Sequence, residues 1–155
     1  MSTDLIWQTV SNSSADTEQI GRELGMRCKG GEVLELVSDL GGGKTTFVRG
    51  LAAGLGSTDA VASPSFTLSR EYKADDKTLY HFDFYRLQDA GLVGNELAEV
   101  IDDPQAVVAV EWADIVEDIL PAEHLTIHIT NVGDTKRQFK FSCPESLAYL
   151  RGEDT

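Results

Sequence analysis

Residues 33–46 have the sequence VLELVSDLGGGKTT, and this stretch determines the predicted fold. The apolar run Val33 to Val37 predicts a buried strand, and the apolar spacing after Lys44 predicts a helix, so a glycine-rich turn joins the two. Strand, glycine turn and helix in this order are typical of a phosphate-binding P-loop. The glycines let successive backbone N–H groups approach a phosphate, and the positive end of the helix faces the same anion.

Two residues of this turn are predicted to contact the ligand with their side chains. Lys44 would reach the β- and γ-phosphates of a nucleotide, and the Thr45 hydroxyl would bind Mg²⁺. Ser38 stands where the motif has its first glycine. A turn that serves packing alone is the alternative, but three glycines followed by Lys-Thr-Thr favour the phosphate site.

Length and composition indicate one acidic domain. The chain has 155 residues and a formal net charge of −13, so we expect neither DNA binding nor tight direct binding of RNA. It contains no apolar run that could span a bilayer, and its first residues lack the features of a signal peptide, which predicts a cytoplasmic protein without a membrane. Cys28 and Cys143 are predicted to be buried or free thiols.

The rest of the chain alternates predicted strands and helices and therefore indicates an α/β fold. Strands are expected at 5–10, 66–72, 78–84, 106–110, 124–130 and 137–142, and helices after Asp16, at 92–101 and after Pro144. Asp16, with Gln19 three residues later, is predicted to cap the first helix. The strands at 66–72 and 78–84 are predicted to form a hairpin.

Polar residues at the ends of two predicted strands are candidate site residues. Alternation along strand 78–84 puts His81, Asp83 and Tyr85 on one face, either as a hydrogen-bonded structural pair or as part of a site. Glu111 follows the most apolar strand, at the carboxyl edge where open α/β sheets bind ligands, so we expect it to direct a metal ion. Trp112 would either stack on a ligand or belong to the core.

Four motifs together resemble the bacterial TsaE family (older name YjeE), the ATPase component of tRNA threonylcarbamoyladenosine synthesis. They are SDLGGGKTT at 38–46, SPSFT at 63–67, HFDFYRL at 81–87 and VEW at 110–112. The resemblance covers nearly the whole chain. It departs from the family at Ser38, where the family has glycine, and at Ser65, where it usually has threonine.

The resemblance implies a fold and an activity. The expected fold is a P-loop NTPase-like, three-layer α/β/α single domain spanning residues 1–155, with a frayed tail at 151–155. Its central sheet is expected to be mixed and mainly parallel, with additional antiparallel strands. The implied activity is weak Mg²⁺-dependent hydrolysis of ATP to ADP, stimulated by TsaB and TsaD. Together these proteins form threonylcarbamoyl on adenosine 37 of tRNAs reading ANN codons, and this chain would contact tRNA only through the complex.

The resemblance also implies residue roles. The phosphates would be held by Lys44 and by the backbone of Asp39, Leu40, Gly41, Gly42, Gly43, Thr45 and Thr46. Thr45 and Glu111 would bind Mg²⁺, and Asp83 would poise the water or the metal. Trp112 would line the site. Ser14, in the loop before the first helix, and Lys136 or Arg137 would contact the nucleoside.

Two other functions use the same turn. A small-molecule kinase would need an arginine-rich lid over the transferred phosphoryl group, and no arginine cluster is present in the sequence. A nucleotide-binding interaction module without hydrolysis is the second alternative, because Ser38 departs from the motif.

Overall fold

A computed structural model describes residues 4–38, 44–57, 69–84, 91–111 and 116–152 of the chain. The strands are β1 (Leu5–Ser11), β2 (Val33–Ser38), β3 (Ser69–Lys73), β4 (Thr78–Asp83), β5 (Ala106–Glu111), β6 (Leu125–Asn131) and β7 (Arg137–Cys143). The α-helices are α1 (Ser14–Arg27), α2 (Lys44–Leu55) and α3 (Gly91–Ile101), and a 3-10 helix covers Glu145–Arg151. The strands and helices predicted within these ranges are therefore confirmed to within a few residues.

The strands form one mixed sheet in the order β1-β7-β6-β2-β5-β4-β3. At its centre β2 pairs in parallel with both β5 and β6, and β4 pairs in parallel with β5. Toward the edges β1 with β7, β6 with β7 and β3 with β4 are antiparallel. The predicted mixed sheet with a parallel centre is thus confirmed, and the β3–β4 hairpin is present.

Helices cover both faces of the sheet, which gives the predicted three layers. On one face α1 and α2 pack on a core that includes Leu36, Phe47 and Ile127. On the other face Leu97 of α3 belongs to a second core with Phe82, among others. All six residues of β5 are buried, because this strand is covered on both faces, as its apolar run predicts.

Glycines bring α1 and α2 into backbone contact. Gly21 and Gly25 of α1 and Gly50 and Gly54 of α2 repeat at four-residue spacing, so each pair lies on one face of its helix. A Cβ added at Gly50 would lie 2.0 Å from the carbonyl oxygen of Glu18, and one at Gly25 would lie 2.3 Å from that of Leu51. Only glycine permits this approach, which fixes the start of α2 beside the start of α1.

The first helix begins earlier than the sequence predicted. Ser13, not Asp16, is its N-cap: the Ser13 side chain accepts a hydrogen bond from the Asp16 backbone N–H at 3.1 Å. Asp16 instead accepts a hydrogen bond from the backbone N–H of Asn12, the residue before the cap, at 2.9 Å. Ser14 is consequently the first helical residue, and its predicted place in the preceding loop was wrong.

An ion pair links the start of β6 to β2. His124 Nε2 lies 3.1 Å from Glu35 Oε1, and His124 Nδ1 lies 2.8 Å from the Pro121 carbonyl oxygen. The hydrogen bond from His124 lowers the pKa of the Glu35 carboxyl, and the same bond raises the pKa of the His124 imidazole. The pair therefore stabilises the fold while both groups are charged.

We expect Glu35→Gln to destabilise the protein most at mildly acidic pH. The lowered Glu35 pKa contributes stability above its ordinary value of 4.5, and the raised His124 pKa contributes stability below its ordinary value of 6.5. The loss in the free energy of unfolding should therefore be greatest between these two pH values. It should shrink as the pH rises through the folded-state pKa of His124. Urea unfolding across pH measures it, with exposed Glu123→Gln as the control. A loss of the same size at alkaline pH would contradict the assignment.

Two smaller observations complete the fold. Both cysteines are buried free thiols, as predicted, and burial raises the pKa of each thiol. Within the described ranges, no helix has the length and apolar character needed to cross a membrane.

Candidate functional site

Polar side chains collect where the parallel strands end and α2 begins. Asp83, the last residue of β4, pairs in register with Glu111, the last residue of β5. Glu111 also pairs with Leu36 of β2, two residues before that strand ends. Because Leu36 belongs to the core under α1 and α2, this register puts Glu111 and Asp83 on the face that α2 covers. The residues predicted from separate parts of the sequence thus meet at one edge.

Lys44 and Glu111 form a buried ion pair at this edge. Lys44 Nζ lies 3.0 Å from Glu111 Oε1, and their side chains are 11% and 7% exposed. Lys44 is also the first residue of α2, so its ammonium group lies where the helix presents its positive end. The pairing shows that the start of α2 and the end of β5 adjoin, as the carboxyl-edge argument predicted.

His81 holds the other oxygen of the same carboxylate. Its Nε2 forms a short hydrogen bond with Glu111 Oε2, and both side chains are buried. His81 Nδ1 is likewise buried and has no hydrogen-bond partner within the part of the chain that the structure describes. The sequence pattern left the role of His81 undecided between a structural hydrogen-bonded pair and a site residue. The signal was present, since His81 shares a strand face with Asp83 beside the most apolar strand.

These contacts keep Glu111 ionised. Burial alone would raise the pKa of the Glu111 carboxyl, but the hydrogen bonds and charges of His81 and Lys44 outweigh it, so the pKa is lowered. A carboxylate at this place can accept further hydrogen bonds or bind a cation through the second lone pair of each oxygen. Glu111 is therefore a fixed negative charge directly beside a fixed positive one.

A cleft beside the start of α2 brings three predicted nucleotide-binding residues together. Its cavity of about 120 Å³ is lined by Ser13, Ser14, Thr17, Thr46, Asp134, Thr135 and Arg137. Ser14, Thr46 and Arg137 come from distant parts of the sequence and were predicted to contact the same ligand. Typical ligand pockets measure roughly 300–1,000 Å³, so this cleft would form one part of a larger site.

Arg137 has a structural role in the same cleft. One guanidinium nitrogen donates to the carbonyl oxygens of Lys136 at 3.2 Å and Gly133 at 3.4 Å, which fixes the turn between β6 and β7. A guanidinium group has five N–H donors, so others remain for a ligand. Lys136, the alternative contact, is exposed and does not line the cleft.

Several predicted site residues lie outside the described ranges. They are Asp39, Leu40, Gly41, Gly42, Gly43 and Trp112, together with the motif at 63–67 and Tyr85. Thr45 is described, exposed and adjacent to Lys44 in the first turn of α2. Among the residues that are described, no cluster of three or more His, Cys, Asp or Glu side chains forms a metal site.

Comparison with known proteins identifies the family. A family model described as threonylcarbamoyl adenosine biosynthesis protein TsaE matches residues 11–139. The chain belongs to the TsaE family. It is 41% identical to the tRNA threonylcarbamoyladenosine biosynthesis protein TsaE of Bacillus subtilis, over 89% of this chain and 85% of that one. The protein with the same description from Treponema pallidum is 36% identical, over 83% of this chain and 95% of its own.

Solved structures agree with this membership. The crystal structure of YdiB from Bacillus subtilis superposes with a TM-score of 0.75 at 37% sequence identity, covering 97% of this chain and 93% of that chain. The mixed α/β architecture is therefore that of the TsaE family. The family resemblance expected from the four sequence motifs is confirmed.

Proposed function

We propose that this protein is a Mg²⁺-dependent ATPase that supports threonylcarbamoyladenosine formation at adenosine 37 of tRNAs reading ANN codons. Family membership supports the role in this tRNA modification. The observation that carries the ATPase proposal is the ion pair of Lys44 with Glu111, 3.0 Å apart, between the start of α2 and the end of β5. A cation at the helix start and a carboxylate at the strand end are the two charges that a bound metal–nucleotide complex requires.

The charges at this edge suit a nucleotide polyphosphate. As the lysine of the P-loop motif, Lys44 would donate to phosphate oxygens beside its contact with Glu111. The backbone of residues 39–46 would surround the phosphates, with the positive end of α2 directed at them. Thr46 at the cleft would continue this contact toward the nucleoside, where Ser14 and Arg137 lie.

The residues present also fit a magnesium ion. Mg²⁺ prefers oxygen ligands and takes only one or two from protein when it binds beside phosphates, which agrees with the absence of a larger acid cluster among the described residues. The Thr45 hydroxyl and the Glu111 carboxylate would hold it, and His81 would keep Glu111 oriented. When bound, the ion would neutralise charge that develops on the phosphate oxygens.

Asp83 is the proposed water-orienting group. Its backbone pairs with Glu111, and its half-buried side chain lies on the strand face that carries His81. From there it would orient a water molecule toward the terminal phosphate, as a positioning group rather than a phosphate ligand. Glu111 and Asp83 would thus divide metal binding and water orientation between them.

The proposed partners are the proteins TsaD and TsaB. An acidic chain with a net charge of −13 has little affinity for tRNA by itself, so tRNA would be contacted through the complex. The proposed location is the cytoplasm, where these components and ATP are available.

Substitution of the two acids separates an ATPase from a nucleotide-binding module without hydrolysis. Asp83→Asn should leave ATP affinity unchanged and lower hydrolysis by about 100-fold, because the lost interaction acts mainly in the transition state. Glu111→Gln should weaken Mg²⁺-dependent binding itself. Calorimetry and phosphate release, both with TsaB and TsaD present, measure the two effects.

The exposed turn residue Asp76 supplies the control, since Asp76→Asn removes a carboxylate from the same hairpin without touching the site. Hydrolysis by Asp83→Asn at the rate of the unmodified protein would remove Asp83 from the mechanism. Absence of hydrolysis in the unmodified complex would favour the binding module.

A further inference from the structure

The two edges of the sheet differ in the charges that they carry. β3, at one edge, has the sequence SREYK, with three charged residues in five. β1, at the other edge, has the sequence LIWQTVS, without charge or proline, in a chain whose net charge is −13. Within the described residues β1 pairs with β7 on one side and with no strand on the other. Edge strands usually carry charges or proline because an unprotected edge pairs with further strands.

Apolar side chains on β1 are exposed beside this edge. Ile6 is 54% and Val10 is 44% exposed, and alternation puts both on the face opposite Trp7. Trp7 stacks on Phe141 of β7, with ring centroids 5.0 Å apart, so the strand itself is firmly held. A rigid strand with two exposed apolar side chains is preorganised to accept a neighbour.

The sequence of β1 is complementary to itself in one antiparallel register. We propose that two copies of this protein associate through their β1 strands, paired antiparallel about Gln8 to form one continuous sheet. In this register Ile6 packs against Val10 of the partner subunit, and Val10 packs in the same way against Ile6 of the partner subunit. Trp7 faces Thr9 of the partner subunit, an aromatic and β-branched pair of the kind that stabilises sheets.

A groove alongside β1 would accept the side chains on the other face of the partner subunit's β1 strand. A cavity of about 230 Å³ lies there, lined on this chain by residues that include Trp7, Thr9, Ile20, Glu23 and Arg27. The charged residues of this lining are Glu23, Arg27 and Arg151, so each copy presents both signs of charge at this place. Backbone pairing with pockets for alternate side chains is the usual form of strand addition.

The size of this contact predicts a weak, concentration-dependent dimer. Seven residues at about 3.4 Å each make a contact about 24 Å long. With a sheet thickness of about 10 Å, the contact area is about 240 Å² per partner. This is below the roughly 800 Å² per partner that stable complexes bury, so a dissociation constant of about 10 µM or higher is expected. The dimer should therefore appear on concentration rather than persist on dilution.

Crosslinking tests the register directly. In the proposed pairing two Gln8 residues face each other with Cβ atoms about 5 Å apart, close to disulfide geometry. Gln8→Cys should form a covalent dimer under mild oxidation, while the native cysteines are buried and do not compete. Thr130→Cys, exposed on the same sheet face but on β6, is the control and should stay monomeric.

Analytical ultracentrifugation measures how much the edge strand β1 contributes to the affinity of the dimer. Val10→Lys places a charge on the edge strand and should weaken dimerisation by at least about tenfold. Val37→Lys makes the same change on the same sheet face, on the interior strand β2, and should leave the dimer intact. A dimer lost in Val37→Lys would indicate stacked sheet faces instead. A monomer at all concentrations up to about 1 mM, or a Val10→Lys dimer of undiminished affinity, would overturn the proposal.

Discussion

Lys44→Ala should reduce the affinity for ATP by at least about 100-fold. The lysine ammonium is predicted to donate to the phosphates, and a hydrogen bond to a charged group contributes about 1.5–3 kcal/mol, so one or two such bonds account for a factor of this size. Among the described residues, the substitution also leaves His81 as the one side-chain partner of Glu111, which adds negative charge where the phosphates would bind.

Isothermal calorimetry with ATP and Mg²⁺ measures this loss, and Lys140→Ala is the matched control. Lys140 is an exposed lysine on the open face of β7, away from the start of α2, so its removal changes net charge equally and should not change affinity. A thermal melt of Lys44→Ala separates loss of a contact from loss of the fold. Unchanged affinity in a folded Lys44→Ala protein would show that the nucleotide binds elsewhere.

Gly50→Ala should destabilise the protein by about 2–3 kcal/mol, although alanine is the better helix former by about 1 kcal/mol. The added Cβ would lie 2.0 Å from the carbonyl oxygen of Glu18, which is backbone and cannot rotate away. The helices must therefore separate, and the start of α2 would shift relative to Ser14 and Thr17. The loss corresponds to a fall of roughly 5–10 °C in Tm for a chain of this length.

Calorimetric melting of Gly50→Ala against Gly133→Ala tests this packing. Gly133 lies in the β6–β7 turn, where an added Cβ would lie 3.3 Å from the Cβ of Lys136, a tight contact that a small shift of this exposed turn relieves. If Gly50→Ala melts at or above the temperature of the unmodified protein, the close approach of α1 and α2 is not required. ATP affinity measured on the same samples would show how far the position of α2 governs the site.

The central part of the fold followed from local patterns. The apolar runs at 33–37 and 106–110 predicted β2 and β5, and the glycine turn predicted the start of α2, because each pattern is complete within one segment. The parallel pairing of β6 with β2 was not predicted, because it depends on Ile127 and Leu36 sharing a core that no local pattern reveals. The glycine contact between α1 and α2 was missed for the same reason.

The sequence predicted those site residues that lie at the ends of predicted strands. Glu111 and Lys44 were expected to meet because the carboxyl ends of parallel strands adjoin the glycine turn, and they do. The role of His81 was left undecided, because strand alternation shows which face a side chain occupies but not whether water or a carboxylate lies beside it. Ser13 was missed as the helix cap, although its spacing to Asp16 is that of a capping box. The roles of Asp83, Thr45 and Trp112 stay predictions.

The measurement that tests the central claim most directly is tRNA modification by a reconstituted system. Purified TsaD and TsaB are supplied with threonylcarbamoyl donor, unmodified tRNA and ATP, with and without this protein, and modified adenosine is counted per TsaD. We predict that this protein raises the yield of modified adenosine per TsaD, and that Lys44→Ala, added at the same concentration, does not. Equal yields with the protein, without it and with Lys44→Ala would contradict the proposed function.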